Sequence, residues 1–363
     1  MQDNARILQD QVQQAITEQK PLRIQGGNSK AFYGFAVQGE VLDTSGHHGI
    51  IEYEPTELVL RARAGTPLSE INSALKQHQQ MLACEPPCFS QSATLGGAVA
   101  AGLSGPSRPY LASIQDSVLG CTILNGQAQI LGFGGKVMKN VAGYDVSRLM
   151  AGSMGCLGVI LDITLKVIPS TRAEKSFVFS MEPENSLAFI NDLRKRGLPV
   201  SATCQLCAQL MVRFSAGNTE IAELEDRLEE HYSFIEWLES DDYLFWEQLR
   251  EHQHPFFEQA STLWRLSMPA DADIHGLADK PEDVLTEWGG SLHWLKTTKS
   301  ADEIFNHARI NNGQATLFRY PATQQPATIF QPLAPALEQW HKSLKAAFDP
   351  FGIFNPGKMY TQE

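Results

Sequence analysis

Residues 21–30 read Pro21-Leu22-Arg23-Ile24-Gln25-Gly26-Gly27-Asn28-Ser29-Lys30. The first five suit a short strand, and the next five suit a turn whose glycines leave backbone N–H groups bare. Upstream, Asn4 is placed to cap a helix in which Ile7, Leu8, Val12, Ala15 and Ile16 recur at helical spacing. The chain thus opens as helix, strand and glycine turn. Two more small-residue segments follow, at 93–105 and 152–158. Neither Gly132-Phe133-Gly134-Gly135 nor 152–158 has the G-x-G-x-x-G spacing of a Rossmann turn, and no Walker A sequence occurs. Each turn alone reads as structural. Three in one region suit a pyrophosphate lying on backbone N–H groups, with few cationic side chains needed.

Outward from these turns, strands are expected at 41–43, 50–53 and 58–62, and Thr66-Pro67 begins a helix to about residue 79. Strands 118–124 and 127–131 read as a hairpin, since Asn125-Gly126 tolerates the positive φ angles of a type I′ turn. A strand over 157–167 closes the region before Pro169. Longer helices then alternate with strands: 184–196, 219–230 and 300–309 against 176–181, 262–268 and 316–320. This is the rhythm of an α+β domain with an antiparallel sheet. Residues 323–335, rich in Pro, Gln and Thr, read as a linker to a last helix and a closing Asn355-Pro356-Gly357-Lys358.

Charge divides the chain in the same way. Of 363 residues and a net charge of −12, residues 1–172 are neutral and hold 20 of the 28 glycines; residues 173–363 carry the whole −12 and all six tryptophans. Three parts are expected: 1–172, a cap over 173–330, and 331–363 returning to the first part. An acidic surface argues against nucleic acid as a partner. No apolar run of about 18 residues and no lipidation motif is present, so a cytoplasmic protein is expected. Six cysteines are too sparse for a disulfide framework, and Cys84, Cys88, Cys204 and Cys207 read as buried thiols rather than a zinc set. No metal site is expected.

The 21–29 stretch, Ala93-Thr94-Leu95-Gly96-Gly97, Lys139-Asn140-Val141-Ala142-Gly143-Tyr144-Asp145, 152–160 and 355–358 occur in the order found in the FAD-binding family of vanillyl-alcohol oxidase and p-cresol methylhydroxylase (PCMH), which this chain resembles. The resemblance is strongest over residues 20–170 and the last fifteen or so, and the short acidic middle is similar to the smaller FAD-binding subunits of bacterial glycolate oxidases. It implies an α+β protein with a two-lobed PCMH-type FAD-binding domain and an antiparallel-sheet cap. It further implies that Gly26, Gly27, Asn28, Ser29 and Lys30 with Thr94, Leu95, Gly96 and Gly97 hold the FAD pyrophosphate. Gly152 and Ser153 belong to the same set, and Gly158, Val159 and Ile160 would line the adenine and ribose. Asn140, Tyr144, Asp145, Asn355 and Lys358 would lie nearer the flavin ring, where a cation stabilises the reduced form.

Two departures from the family shape the expected role. Where many relatives tether flavin through a histidine in the first glycine turn, this sequence has Asn28, so FAD is expected to be non-covalent. The histidine–carboxylate group that related hydroxy-acid dehydrogenases carry in the cap is missing; His252-x-His254 is the nearest pair and reads as solvated surface, so no catalytic residue is assigned. By resemblance the chain would relay electrons in glycolate oxidation beside a larger FAD subunit and an iron–sulfur subunit, touching a membrane only peripherally through that complex. A self-sufficient 2-hydroxy-acid dehydrogenase and a redox-silent assembly subunit remain alternatives. Residues 220–251 hold twelve acids against Arg227 and Arg250. Interleaved with Ile235, Trp237, Leu238, Tyr243, Leu244, Phe245 and Trp246, they read either as solvated helix faces or as a docking surface.

Overall fold

The computed structural model describes residues 2–135, 145–171, 173–233, 235–240, 244–258, 262–274, 276–321, 323 and 326–361. The chain forms two compact units: Met1–Gly105 with Ala112–Ser170 and Leu333–Glu363, and Pro106–Leu111 with Thr171–Pro332. Residues 106–111 therefore group with the second unit, although their composition continues that of the first.

In the first unit the Leu22–Gln25 strand pairs in parallel with Glu40–Asp43. A separate five-stranded antiparallel sheet runs in the order Ile50–Glu54, Val59–Arg63, Val159–Lys166, Val118–Leu124, Ile130–Gly134. Its middle strand, Val-Ile-Leu-Asp-Ile-Thr-Leu-Lys, is buried on both faces until Lys166, which is why it reads as an apolar run without alternation. The exception, Asp162, accepts a hydrogen bond from Arg61 Nε at 2.7 Å. The Ala5–Glu18 helix buries Leu8, Val12 and Ala15 against Leu22, Leu42, Ile353 and Phe354, so both ends of the chain share one core. The final helix, Pro335–Phe348, buries Lys345, whose ammonium pairs with Asp349 at 2.8 Å and donates to the Cys156 and Phe354 carbonyls.

The Asn125-Gly126 turn differs from its type I′ expectation. The positive φ falls on Ala128, and Asn125 Oδ1 accepts from the amides of Gln127 and Gln129. Gly126 is required for another reason: a Cβ there would stand 2.6 Å from the Asp349 Cα. Close approach of the C-terminal segment, not turn geometry, selects the glycine.

The second unit is built on eight strands paired antiparallel throughout: Trp237–Glu239, Ala173–Ser180, Gln209–Ala216, Val200–Leu206, Val284–Glu287, Leu292–Leu295, Leu263–Ser267, Gln314–Arg319. With the first unit's mixed helices and sheets this is the expected α+β class. The helix expected over 219–230 is two, Asn218–Ala222 and Leu224–Tyr232, with the junction at Glu223. Ile221, Leu224, Leu228 and Tyr232 seat both on Phe177, Phe179 and Phe189.

Several side chains read as interface anchors are core instead. Phe245 and Trp246 are buried, Trp246 donating to Ser176 Oγ at 2.8 Å, and Trp237 meets Phe177 edge-on. Leu238 and Leu244 are exposed, at 60% and 57%, while Tyr243 lies outside the described residues. His252 is likewise no solvated surface group. Its ring stacks on Phe257 at 3.9 Å and meets Trp294 edge-on, and burial with the Arg319 and Arg265 charges holds its pKa well below the ordinary histidine range. Among the cysteines, Cys84 and Cys204 are buried and their thiol pKa values raised by that burial, but Cys207 is exposed and Cys88 only half-buried. No cluster able to hold a metal occurs among the described residues, and no helix there is long and apolar enough to cross a membrane.

Candidate cofactor site

The Leu22–Gln25 strand ends in the glycine turn because Thr44, one residue beyond the paired strand, ties down Gln25: its amide and its hydroxyl both donate to the Gln25 carbonyl. Beyond that point the amides of Gly26, Gly27, Asn28 and Ser29 have no acceptor among the described residues. Such amides must be satisfied by solvent or a ligand. The turn is pressed onto the segment leading to the Leu95–Ala101 helix. Ser92 Oγ donates to the Gly27 carbonyl at 2.6 Å, and a Cβ at Gly27 would stand 1.5 Å from the Ser92 carbonyl oxygen. Asn28 adopts φ +57°, a left-handed conformation that asparagine tolerates.

These residues line a cavity of about 260 Å³. Thr94, the helix cap, and Gly97 line it too, with Thr94 Oγ1 accepting from the Gly97 amide at 3.3 Å. Leu95 and Gly96 do not. Their amides donate to the Thr66 and Ala64 carbonyls, both residues are buried, and Gly96 is small because a Cβ would lie 2.6 Å from that of Ala64.

Asn355 draws three separate segments to one point. Its Oδ1 accepts from the Ile24 amide at 2.8 Å, its Nδ2 donates to the Met154 carbonyl at 2.7 Å, and its own amide donates to the Leu22 carbonyl. The 152–158 turn enters the same cluster through Gly152 and Met154, whose amides donate to the Val99 and Ala100 carbonyls. Met154 lines the cavity, whereas Gly152 and Ser153 shape the turn behind it, the latter buried with its hydroxyl on the Met150 carbonyl. Gly158, Val159 and Ile160 lie outside the cavity wall, the last two buried in the central strand. Asp145 caps the Val146–Leu149 helix and pairs with Arg148. Asn140 and Tyr144 lie outside the described residues.

Electrostatically the cavity is one-sided. Arg23, Lys30 and Lys358 line it, and among the described residues no carboxylate does. Lys358 donates to the Ala31 carbonyl at 3.3 Å, and burial, with the Arg23 guanidinium adding to it, brings its pKa down to about 8. Arg23, inside an apparently ordinary strand, is a cavity-lining cation that the motif reading does not single out. Its position four residues before Gly27 on a two-residue alternation is the signal that marks it as pointing with Gln25, to which it bonds at 3.1 Å. Bare amides, three cations and a backbone cradle closed to any Cβ fit a pyrophosphate. The volume lies just under the roughly 300–1,000 Å³ of ligand-sized pockets, a size for the pyrophosphate part of a dinucleotide.

Comparison with known proteins agrees with this chemistry. Residues 3–134 match the FAD binding domain family. Escherichia coli (strain K12) glycolate oxidase subunit GlcE is 44% identical over 360 residues, spanning 99% of this chain and 98% of that protein. Bacillus subtilis (strain 168) glycolate oxidase subunit GlcD is 24% identical over 76% of this chain and 70% of its own length. Among solved structures, alkyldihydroxyacetonephosphate synthase shares the fold, with a TM-score of 0.67 at 14% identity over 96% of this chain and 74% of that one. The acid-free, amide-lined cavity therefore sits in an FAD-binding oxidoreductase fold, and the chain belongs to the GlcE family of glycolate oxidase subunits.

Proposed function

We propose that this chain carries non-covalent FAD and relays electrons within a heteromeric complex that oxidises glycolate to glyoxylate. The observation that supports it most is the cavity of bare amides and cations in a chain that aligns end to end with a glycolate oxidase subunit. The amides of Gly26, Gly27, Asn28 and Ser29, with Arg23 and Lys30, hold the pyrophosphate, while Thr94 and Gly97 fix the opposite wall; Lys358, expected nearer the flavin ring, is assigned to the pyrophosphate instead because it lines the same cavity as these amides. Gly152, Ser153 and Asn355 set the shape of the site, with Leu95, Gly96, Gly158, Val159 and Ile160 packing behind it. Asn140, Tyr144 and Asp145 complete the flavin end. When bound, FAD supplies the electron-accepting ring. Among the described residues no histidine or cysteine lines the cavity, and Asn28 offers no nucleophile for a tether.

The remaining partners in this reading are a larger FAD subunit that oxidises the hydroxy acid and an iron–sulfur subunit that takes electrons onward. The complex is cytoplasmic and peripheral to the membrane. The neutral, aromatic-packed His252 leaves the second unit without an exposed histidine–carboxylate pair at 252–254, which favours relay over independent turnover. Stopped-flow absorbance decides the matter. In the assembled complex, glycolate reduces this chain's flavin within turnover; the isolated, FAD-loaded chain is reduced negligibly. A flavin that stays oxidised during turnover, or high glycolate turnover by the chain alone, contradicts the proposal.

A further inference from the structure

The second unit contains a cavity of about 960 Å³ that shares no lining residue with the cofactor cavity. Its floor is a polar row across three neighbouring strands, in which Gln205 faces Thr286 and Thr286 faces His293. Gln205 is fully occupied: its amide nitrogen donates to the Met181 and Cys207 carbonyls and its oxygen accepts from Ser186. Thr286 Oγ1 bonds His293 Nδ1 at 2.9 Å. His293 is only 4% exposed, and its Nε2 has no hydrogen-bond partner among the described residues. The floor thus offers a ligand one spare polar atom. Burial pushes this ring's pKa down to about 4, with the Gly290 carbonyl opposing, so at neutral pH one ring nitrogen carries a lone pair. Since the Thr286 hydroxyl can accept from Nδ1–H, that lone pair can be the one on Nε2.

The mouth has the opposite electrostatics to the cofactor cavity. Among the described residues, Glu182, Glu184, Asp271, Asp273 and Asp279 line it with Lys280, while Ile190, Leu210 and Val284 supply apolar wall. Asp279 already accepts from the Thr298 amide and hydroxyl; the negative charge gathered at the rim and an imidazole acceptor at the floor favour a cation that carries N–H groups and repel a small carboxylate. We propose that this cavity binds an aliphatic amine or guanidine, its stem on the apolar wall and its N–H groups shared between His293 Nε2 and the rim carboxylates. Two sources present that chemistry: a free organic cation, or a lysine or arginine side chain of a partner subunit.

The test is calorimetry of the FAD-loaded full chain at low salt with spermidine and L-arginine, and with glutarate as an anionic control. The expected result is binding of at least one amine and none of glutarate. His293→Leu and the surface variant E184Q/D271N are each expected to weaken amine binding at least tenfold, with the flavin spectrum unchanged. The second source is read by carbodiimide cross-linking of the assembled complex, where Glu184 or Asp271 joined to a partner lysine identifies a side chain as occupant. The absence of both amine binding and a cross-link overturns the inference. So does glutarate binding as tightly as the amines, or amine binding that both variants leave intact.

Discussion

Raising the pH through about 8 is expected to loosen FAD from the wild-type protein and to leave a Lys358→Met variant indifferent. In the flavin-free chain, burial and the neighbouring Arg23 charge hold Lys358 near 8, against an ordinary lysine value of 10.5. Holding the ammonium charged at neutral pH therefore costs the empty site about 3 kcal/mol. Between about 8 and 10.5 the unfolded chain binds more protons than the folded one, so the empty protein gains stability as pH rises through that window. An FAD pyrophosphate beside Lys358 reverses the balance, because the anion favours the ammonium and returns its pKa towards or above the ordinary value. Binding at alkaline pH then takes up a proton. Affinity should fall about tenfold per pH unit above 8, equivalent to about 1.4 kcal/mol each. Flavin fluorescence titrations between neutral pH and the onset of flavin ionisation measure it. In the Met variant, affinity starts lower at neutral pH and stays flat, so the two curves converge as pH rises. A flat wild-type curve, or the same slope in both proteins, refutes the role given to Lys358.

Other expectations follow from contacts of comparable clarity. Gly27→Ala drives a Cβ into the Ser92 carbonyl at 1.5 Å, so the turn must separate from its neighbour, and purified variant protein is expected to lose bound flavin while retaining its far-ultraviolet dichroism. Lys345→Met strands the Asp349 carboxylate, which is fully buried on its side chain, and should lower the denaturation free energy by about 3–5 kcal/mol in urea titrations. Adding Asp349→Leu is expected to recover part of that loss, since the stranded charge is gone. Gly126→Ala should cost about 1–3 kcal/mol by overpacking against Asp349, with the hairpin's own geometry unaffected, as the positive φ lies at Ala128.

The glycine turn at 26–30 was legible because its chemistry is local: strand, then residues without side chains, then exposed amides. The same local logic failed at Asn125-Gly126, where the glycine exists for long-range approach by Asp349; Gly96 likewise is small because Ala64 comes close. A pattern of small residues does not say which neighbour needs the space. Arg23 escaped notice because a basic residue in a short strand looks solvated until the turn beyond it folds back. Trp246 and Phe245 looked like interface anchors because acids surround them in sequence, yet the Phe245–Arg250 helix turns both inward and leaves Leu244 outside. His252 misled in the same way: Glu251 and His254 suggest water, while Phe257, five residues on, and the distant Trp294 and Phe318 surround the ring. Periodicity located most elements; in the Val159–Lys166 strand, buried on two faces, alternation is absent and Val159 and Ile160 belong to the core.

The account rests on FAD held by amides and cations alone, and acid precipitation of the freshly purified chain tests that most directly. All flavin should appear in the supernatant, identified as FAD by mass, at one equivalent per chain. Flavin that remains with the precipitated protein, or a chain that binds no FAD on reconstitution, contradicts it.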